Sequence, residues 1–280
     1  MANYYFHPTS DQGTGSGDSA TNAKAFTNAA LATAEGAINS GDTIFFDTSA
    51  TYAVGGALDF CSAETSKVIN YKTTDGLKAK FTCTSCDFGN TSLVSALNYE
   101  NIDLTTSATT DPVVLYQLTS EATRLQTFNG CLFDAVYFFE EGGTTGCPRA
   151  NFTGCIFTQN SNKYFFEHRM GTTVPADCVF TNCTITNPGG VSGSVYVYIF
   201  RRVNCTLKNC IILDTTNSYT TLGTGATITI SPFNSFLRAD GTSLSSDANN
   251  LAVDPQFVDS GTGDYRLRPA SPCINAGTAS

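Results

Sequence analysis

The sequence contains no tryptophan, and only 14 % of its 280 residues are charged. It also lacks the richness in alanine, glutamate, lysine and leucine that is typical of helical bundles and coiled coils, which argues against those folds. The longest apolar runs, such as residues 195–200, have about six residues, whereas a transmembrane helix needs about twenty. Short runs separated by threonine and glycine instead indicate an all-β chain, long enough for one large domain or two small ones.

The charge and the cysteines restrict the partners and the compartment. A formal net charge of −9 and a pI near 4.6 disfavour binding to nucleic acid or to an anionic membrane. The first residues show neither the basic nor the apolar region of a secretion signal, so we expect no signal peptide. The 11 cysteines are therefore expected to be mostly free thiols in a reducing compartment.

A cysteine recurs in four similar segments. The segments cover residues 128–134, 152–158, 180–186 and 207–213, and their cysteines are Cys131, Cys155, Cys183 and Cys210. Apolar residues alternate within each segment, as in a β-strand, and a Gly or Asn before each cysteine indicates a bend. Cys178 and Cys205 repeat in the same way. The four cysteines are predicted to form a buried structural column in which each thiol acts as a small apolar group.

Each segment is followed by a second strand-like segment. Residues 137–141, 164–168 and 198–202 align position by position, with an earlier copy at 113–117 and a later one at 226–230. The alignment predicts a surface ladder of two charged columns. The first column holds Glu140, Glu167 and Arg201, and the second holds Glu141, His168 and Arg202.

A period of 24 to 28 residues built from strands alone predicts a solenoid, specifically a right-handed parallel β-helix. We expect residues 1–46 to form an N-terminal cap (loop, helix and first strand), residues 47–250 to form the coils, and residues 251–280 to form a closing coil. The capping helix is predicted over residues 22–38. Its apolar stripe would comprise Ala23, Phe26, Ala30, Ala34 and Ala37.

Both ends of the sequence resemble those of pectin-lyase-like β-helix proteins. At the start, Tyr5-Phe6 precedes a Gly/Ser/Asp loop, a helix and residues 40–44, as in their N-terminal cap. At the end, residues 254–257, 264–267 and 271–277 resemble their C-terminal coil. The resemblance implies the fold. It leaves the function open, because this fold serves polysaccharide lyases, hydrolases, adhesins and bacteriophage proteins.

The charged ladder is the main candidate for chemistry. It could hold a general acid beside a stabilising cation, it could be a contact between subunits or with a partner, or it could be a plain solvated surface. We expect no metal and no cofactor. Asp134 shares its column with Thr158, Thr186 and Leu213, so no stack of carboxylates forms there.

Three other patterns have structural explanations. Asp247, Asp254, Asp259 and Asp264 are interpreted as turn residues. The isolated pair Cys83 and Cys86 lacks the second ligand pair of a zinc site, and the two cysteines are interpreted as strand-end residues. A Ser-His-Asp triad would have to use His7 or His168, and no motif supports either.

These features lead us to expect a non-enzymatic bacteriophage structural protein, a trimeric capsid decoration (cement) protein. Its partners would be itself, the major capsid protein and a host-surface glycan, and it would lie on the virion surface after assembly in the host cytoplasm. The alternatives are a tailspike-like polysaccharide depolymerase or lyase and a non-catalytic glycan-binding adhesin.

Overall fold

A computed structural model describes most of the chain. The described residues are 3–60, 67–88, 96–107, 113–117, 125–135, 138–142, 149–159, 166–168, 176–187, 198–201, 203–214, 221–224, 227–231, 233–238, 240–247 and 249–277. Within them the chain forms three parallel sheets, A, B and C, through which it passes repeatedly in that order. One such passage is called a coil below. The all-β prediction and the parallel β-helix are therefore confirmed.

The three sheets run along the stack. Sheet A has ten strands: Asn3–His7, Lys24–Ala25, Thr43–Phe46, Val68–Thr73, Ala96–Glu100, Leu125–Asn129, Arg149–Thr153, Ala176–Thr181, Val203–Lys208 and Ile228–Ile230. Sheet B has eight: Tyr52–Ala53, Ala79–Cys83, Ile102–Thr106, Leu132–Ala135, Ile156–Gln159, Thr184–Asn187, Ile211–Asp214 and Ser235–Arg238. Sheet C has seven: Leu58–Phe60, Cys86–Phe88, Val113–Gln117, Phe138–Gly142, Phe166–His168, Tyr198–Arg201 and Thr221–Thr224.

Aromatic rings stack along the inner face of sheet A. Tyr71, Tyr99, Phe128, Phe152 and Phe180 occupy one register position in successive coils. Adjacent ring centroids are 4.8 to 4.9 Å apart, and the rings are within 13° of parallel. This separation equals the spacing of neighbouring strands, so an in-register sheet places each ring directly on the next.

The predicted cysteine column lies at the corner between sheets A and B. Cys131, Cys155, Cys183 and Cys210 are at most 1 % exposed, which confirms the prediction of a buried column. Each of the last three thiols donates to a carbonyl of the preceding coil at 3.3 to 3.4 Å. Cys178 and Cys205 pair in register as predicted. The nine cysteines in the described part of the chain are all free.

From Asn101 onward, the residue before each position of the cysteine column adopts a left-handed conformation. Its φ is +51° to +72° in Asn101, Gly130, Gly154, Asn182, Asn209 and Phe233. Glycine and asparagine tolerate this region best, which explains the Gly or Asn that the sequence places before each cysteine. Phe233 departs from this pattern.

The capping helix is shorter than predicted. It spans Asn28–Ala37, and Thr27 caps its start by accepting the Ala30 N–H at 3.0 Å. Its buried residues are Leu31, Ala34 and Glu35, and Ala30 is partly buried against the core. Within the helix the predicted stripe is therefore correct at Ala30 and Ala34 and wrong at Ala37, which is exposed. The residues before Thr27 form a short 3₁₀ helix, Ala20–Asn22, and the strand Lys24–Ala25. Ala23 is nevertheless buried, because this loop folds back onto the end of the stack.

The C-terminal segment extends the stack by a single bridge. Leu251 pairs with Ser235, and the chain then forms an antiparallel pair of strands, Phe257–Asp259 and Asp264–Leu267, around the 3₁₀ helix Ser260–Thr262. The rings of Phe257 and Tyr265, one from each of these two strands, pack edge to face with their centroids 5.3 Å apart. Among the described residues, no helix is both long and apolar enough to cross a membrane.

Replacing Tyr265 with phenylalanine should make the protein more tolerant of alkali. Burial, with a smaller contribution from Asp134, raises the pKa of Tyr265 from 10 to about 12. The folded state therefore favours the neutral phenol, and the resulting stability is complete below pH 10 and is lost as the pH rises through 12. The free energy of unfolding should fall less between pH 9 and pH 11.5 in Tyr265→Phe than in the wild type. If the urea midpoints of the wild type and of Tyr265→Phe fall equally across this pH range, the assignment is contradicted.

Candidate functional site

The predicted charged ladder lies on sheet C, but its register differs by one residue from the prediction. Phe139, not Glu140, pairs with Glu167, and Glu140 pairs with His168. Glu167 and Arg201 do pair as predicted. The column of Glu140, Glu167 and Arg201 is therefore wrong at Glu140.

The buried face of sheet C explains this register. Cys86, Val113, Phe166 and Phe200 are at most 1 % exposed, and they share one column in which Phe138 occupies the intervening position. Two adjacent phenylalanines occur in both segments, at 138–139 and at 165–166, so an alignment by residue type fits two registers. The sheet adopts the register that continues the buried column, because a slip by one residue would exchange its two faces.

The register that results aligns an acidic with a basic residue twice, in two adjacent columns that belong to opposite faces of sheet C. Glu140 and His168 are neighbours in the column that begins with the buried Phe60 and Phe88. Glu167 and Arg201 are neighbours in the column that begins with the half-buried Asp59 and Asp87. Glu141 pairs with Tyr116, so the predicted pairing of Glu141 with His168 is also wrong. Arg202 lies outside the described residues.

The later copy of the sheet C strand is also misplaced in the prediction. Within the predicted segment 226–230, the strand Ile228–Ile230 belongs to sheet A, where it pairs with Val203–Lys208. The sheet C strand of this coil is Thr221–Thr224. Alternating apolar residues fit either sheet, so the pattern does not distinguish them.

Two buried thiols of the column, Cys131 and Cys183, are poor nucleophiles. Burial, followed by hydrogen bonds with neighbouring thiols, raises the pKa of Cys131 and of Cys183 well above that of an ordinary cysteine. Burial also raises the pKa of Cys83 to about 12. A thiol must lose its proton to attack a substrate or bind a metal, so these residues act as packing groups at neutral pH.

The carboxylates outside the ladder have local partners. Asp134 shares its column with Thr158, Thr186 and Leu213 as predicted, and Thr158 donates to it at 2.8 Å. Backbone N–H groups two residues further on donate to Asp247 and Asp254, which confirms these two as turn residues. Asp259 and Asp264 instead end and begin the two antiparallel strands of the C-terminal segment. No group of three or more potential metal ligands occurs in the described part of the chain.

His7 lies near a serine but is oriented unfavourably for base catalysis. Its Nε2 is 3.4 Å from Ser49 Oγ, while its Nδ1 accepts the Thr9 and Ser10 N–H groups, each at 3.4 Å. Because Nδ1 accepts, the neutral ring carries its proton on Nε2. His7 therefore donates toward Ser49 and is not placed to take its proton.

The sequence analysis missed one feature of the surface. A groove lies between the C-terminal segment and the corner that joins sheets A and B, and Phe233, Tyr265 and Asn275 help to line it. The only signal in the sequence is Phe233 itself, a bulky residue at the position where other coils have Gly or Asn. Comparison with protein-family models and with curated proteins finds no match for this chain.

Proposed function

We propose that this chain is a non-enzymatic structural protein of a bacteriophage particle, a trimeric decoration protein of the head. The observation that carries the proposal is the continuous stack of in-register sheets with covered ends. Leu31 and Ala34 of the capping helix join the core at one end, and Leu244 packs against the core near the other. Such a stack is rigid because every coil bonds to its neighbours, and it binds partners along its sides.

The charged ladder of sheet C is the proposed seam between subunits. Its outer column changes from Asp59 and Asp87 at one end to Glu167 and Arg201 towards the other. Charges of both signs along one face fix the register of an interface and discriminate against wrong partners. The major capsid protein would bind another side of the stack, and a glycan of the host surface remains a further partner in this proposal.

Electron microscopy and mass spectrometry of phage particles from the source culture test the role. Many copies per particle, located on the head, are expected for a decoration protein. Absence from particles would refute the virion role, and a few copies at the tail would favour the second candidate described below.

Sedimentation of the purified protein tests the seam. The expected mass is three times the 29.7 kDa of the chain. Arg201→Glu should dissociate the trimer, because it reverses the sign of a charge in the outer column that forms the proposed seam. The matched control is Arg149→Glu, which reverses an exposed charge on sheet A and should leave the mass unchanged. If both variants keep the native circular dichroism spectrum and sediment with the same mass, the proposed seam is refuted.

A polysaccharide depolymerase is the second candidate function. The observation that favours it is the pairing of Glu167 with Arg201 in the outer column of sheet C. A carboxyl group beside a guanidinium supplies an acid and a stabilising cation, which cleavage of a glycan needs. Glu167→Gln should abolish release of reducing ends from host polysaccharide. If the wild-type protein releases none, this candidate fails.

A further inference from the structure

The groove beside the C-terminal segment has the size of a small-ligand site. Its volume is about 510 Å³, within the range of about 300 to 1,000 Å³ that is usual for such sites. Asn182 and Phe233 lie on the side of the coils, and Tyr265 and Asn275 lie on the side of the C-terminal segment. None of the described residues that line it carries a charge.

Phe233 offers this groove an exposed aromatic surface at a conformational cost. Its φ is +72°, a region that is strained for a bulky side chain, and 43 % of the residue is exposed, so burial does not offset the strain. Its N–H donates to Asn249 O at 3.0 Å, which helps to hold this backbone. Strain that the surrounding structure maintains often marks a binding surface.

Three polar side chains in the groove are available to a ligand. Tyr265 is only 7 % exposed, and its hydroxyl makes no hydrogen bond with the described residues. The side-chain amides of Asn182 and Asn275 are exposed and likewise have no hydrogen-bond partner in the described part of the chain. Polar groups that line a groove and have no partner within the protein are free to form hydrogen bonds with a ligand.

We propose that this groove binds a neutral saccharide. One face of a pyranose ring consists of C–H groups that pack on an aromatic ring, here Phe233. The hydroxyls at its edge both donate and accept, and the amides of Asn182 and Asn275 and the hydroxyl of Tyr265 match them. A charged sugar would find no counter-charge among the lining residues. This inference does not depend on the virion role and involves other residues than the sheet C ladder.

Titration calorimetry with short oligosaccharides tests the ligand class. The probes are cellotetraose, maltotetraose and mannotetraose, with tetragalacturonate as a charged comparison. At least one neutral probe is expected to bind, and tetragalacturonate is expected to bind at least tenfold more weakly. The proposal is overturned if no neutral probe binds or if tetragalacturonate binds equally well.

Phe233→Asn tests the aromatic contact while keeping the fold. Asparagine occupies the equivalent position at 182 and 209, so the variant should keep or raise the melting temperature. Its affinity for the neutral probe should fall roughly tenfold. The control Leu77→Ala removes another exposed apolar side chain, outside the groove, and should bind normally. A Phe233→Asn variant that folds and binds like the wild type would overturn the proposal.

Asn182→Gly tests the polar contact. Glycine occupies this position in two earlier coils, so the left-handed turn is preserved while the amide is lost. The affinity should fall roughly fivefold, as for the loss of one hydrogen bond. Asn101→Gly makes the same change at a corner outside the groove and should leave the affinity unchanged. Equal losses in both variants would show a general effect of the turn and would overturn the assignment.

Discussion

Replacing Phe152 with alanine should lower the free energy of unfolding by about 3 to 5 kcal/mol. Phe152 is 1 % exposed and lies between Phe128 and Phe180, with both ring centroids at 4.9 Å. Phe157 also packs edge to face against it at 5.2 Å. The substitution removes a ring from the middle of a continuous stack, and the neighbouring rings are held at the strand spacing and cannot close the cavity.

Urea unfolding followed by circular dichroism measures this loss. Phe152→Leu keeps most of the volume and should cost clearly less than the alanine variant. Thr153→Ala changes an exposed residue of the same strand and should lie within about 0.5 kcal/mol of the wild type. A loss below about 1 kcal/mol for Phe152→Ala would mean that the coils relax around the cavity.

Replacing Asn234 with alanine should cost about 2 to 4 kcal/mol, although the removed group is polar. Asn234 is fully buried and follows Cys210 in the cysteine column. Its Oδ1 accepts the Cys210 N–H at 2.6 Å, and its Nδ2 donates to Ser231 O at 2.5 Å and to Leu207 O at 3.5 Å. Alanine would remove these partners from the Cys210 N–H and from Ser231 O, whereas Leu207 O would keep the Ser231 N–H, which donates to it at 2.9 Å.

Two variants separate hydrogen bonding from packing at this position. Asn234→Asp keeps the size and the acceptor but loses both donated hydrogen bonds, so it should destabilise the protein at neutral pH at least as much as alanine. The control Asn129→Ala removes an exposed amide on sheet A and should have little effect. If Asn234→Asp were as stable as the wild type, the donated hydrogen bonds would carry no net stability.

The sequence predicts best the features that are repeated from coil to coil at the same position of the buried face. The four cysteines, the pair Cys178 and Cys205 and the column of Asp134 could be predicted because each coil places the same kind of residue at the same position. A buried face tolerates few residue types, so its pattern survives in the sequence.

The prediction fails where two arrangements satisfy the same pattern. The doublet Phe138-Phe139 fits two registers, and only the complete column with Val113 and Phe166 selects one. The helix was predicted too early because Ala23 and Phe26 have helical spacing, whereas a loop brings them to the core. The groove could not be predicted, because it depends on how the C-terminal segment lies against the corner at Phe233.

The single left-handed residue between sheets A and B makes the later coils exchangeable modules. From Asn101 onward, each coil leaves sheet A through the same kind of turn and enters sheet B at the same column position, and only the last coil has Asn234 in place of an apolar residue or cysteine. A duplicated or deleted coil would therefore meet compatible surfaces above and below. The length of the stack is set by the number of coils, so a variant with one coil more or fewer should differ in length by one strand spacing while both ends stay unchanged.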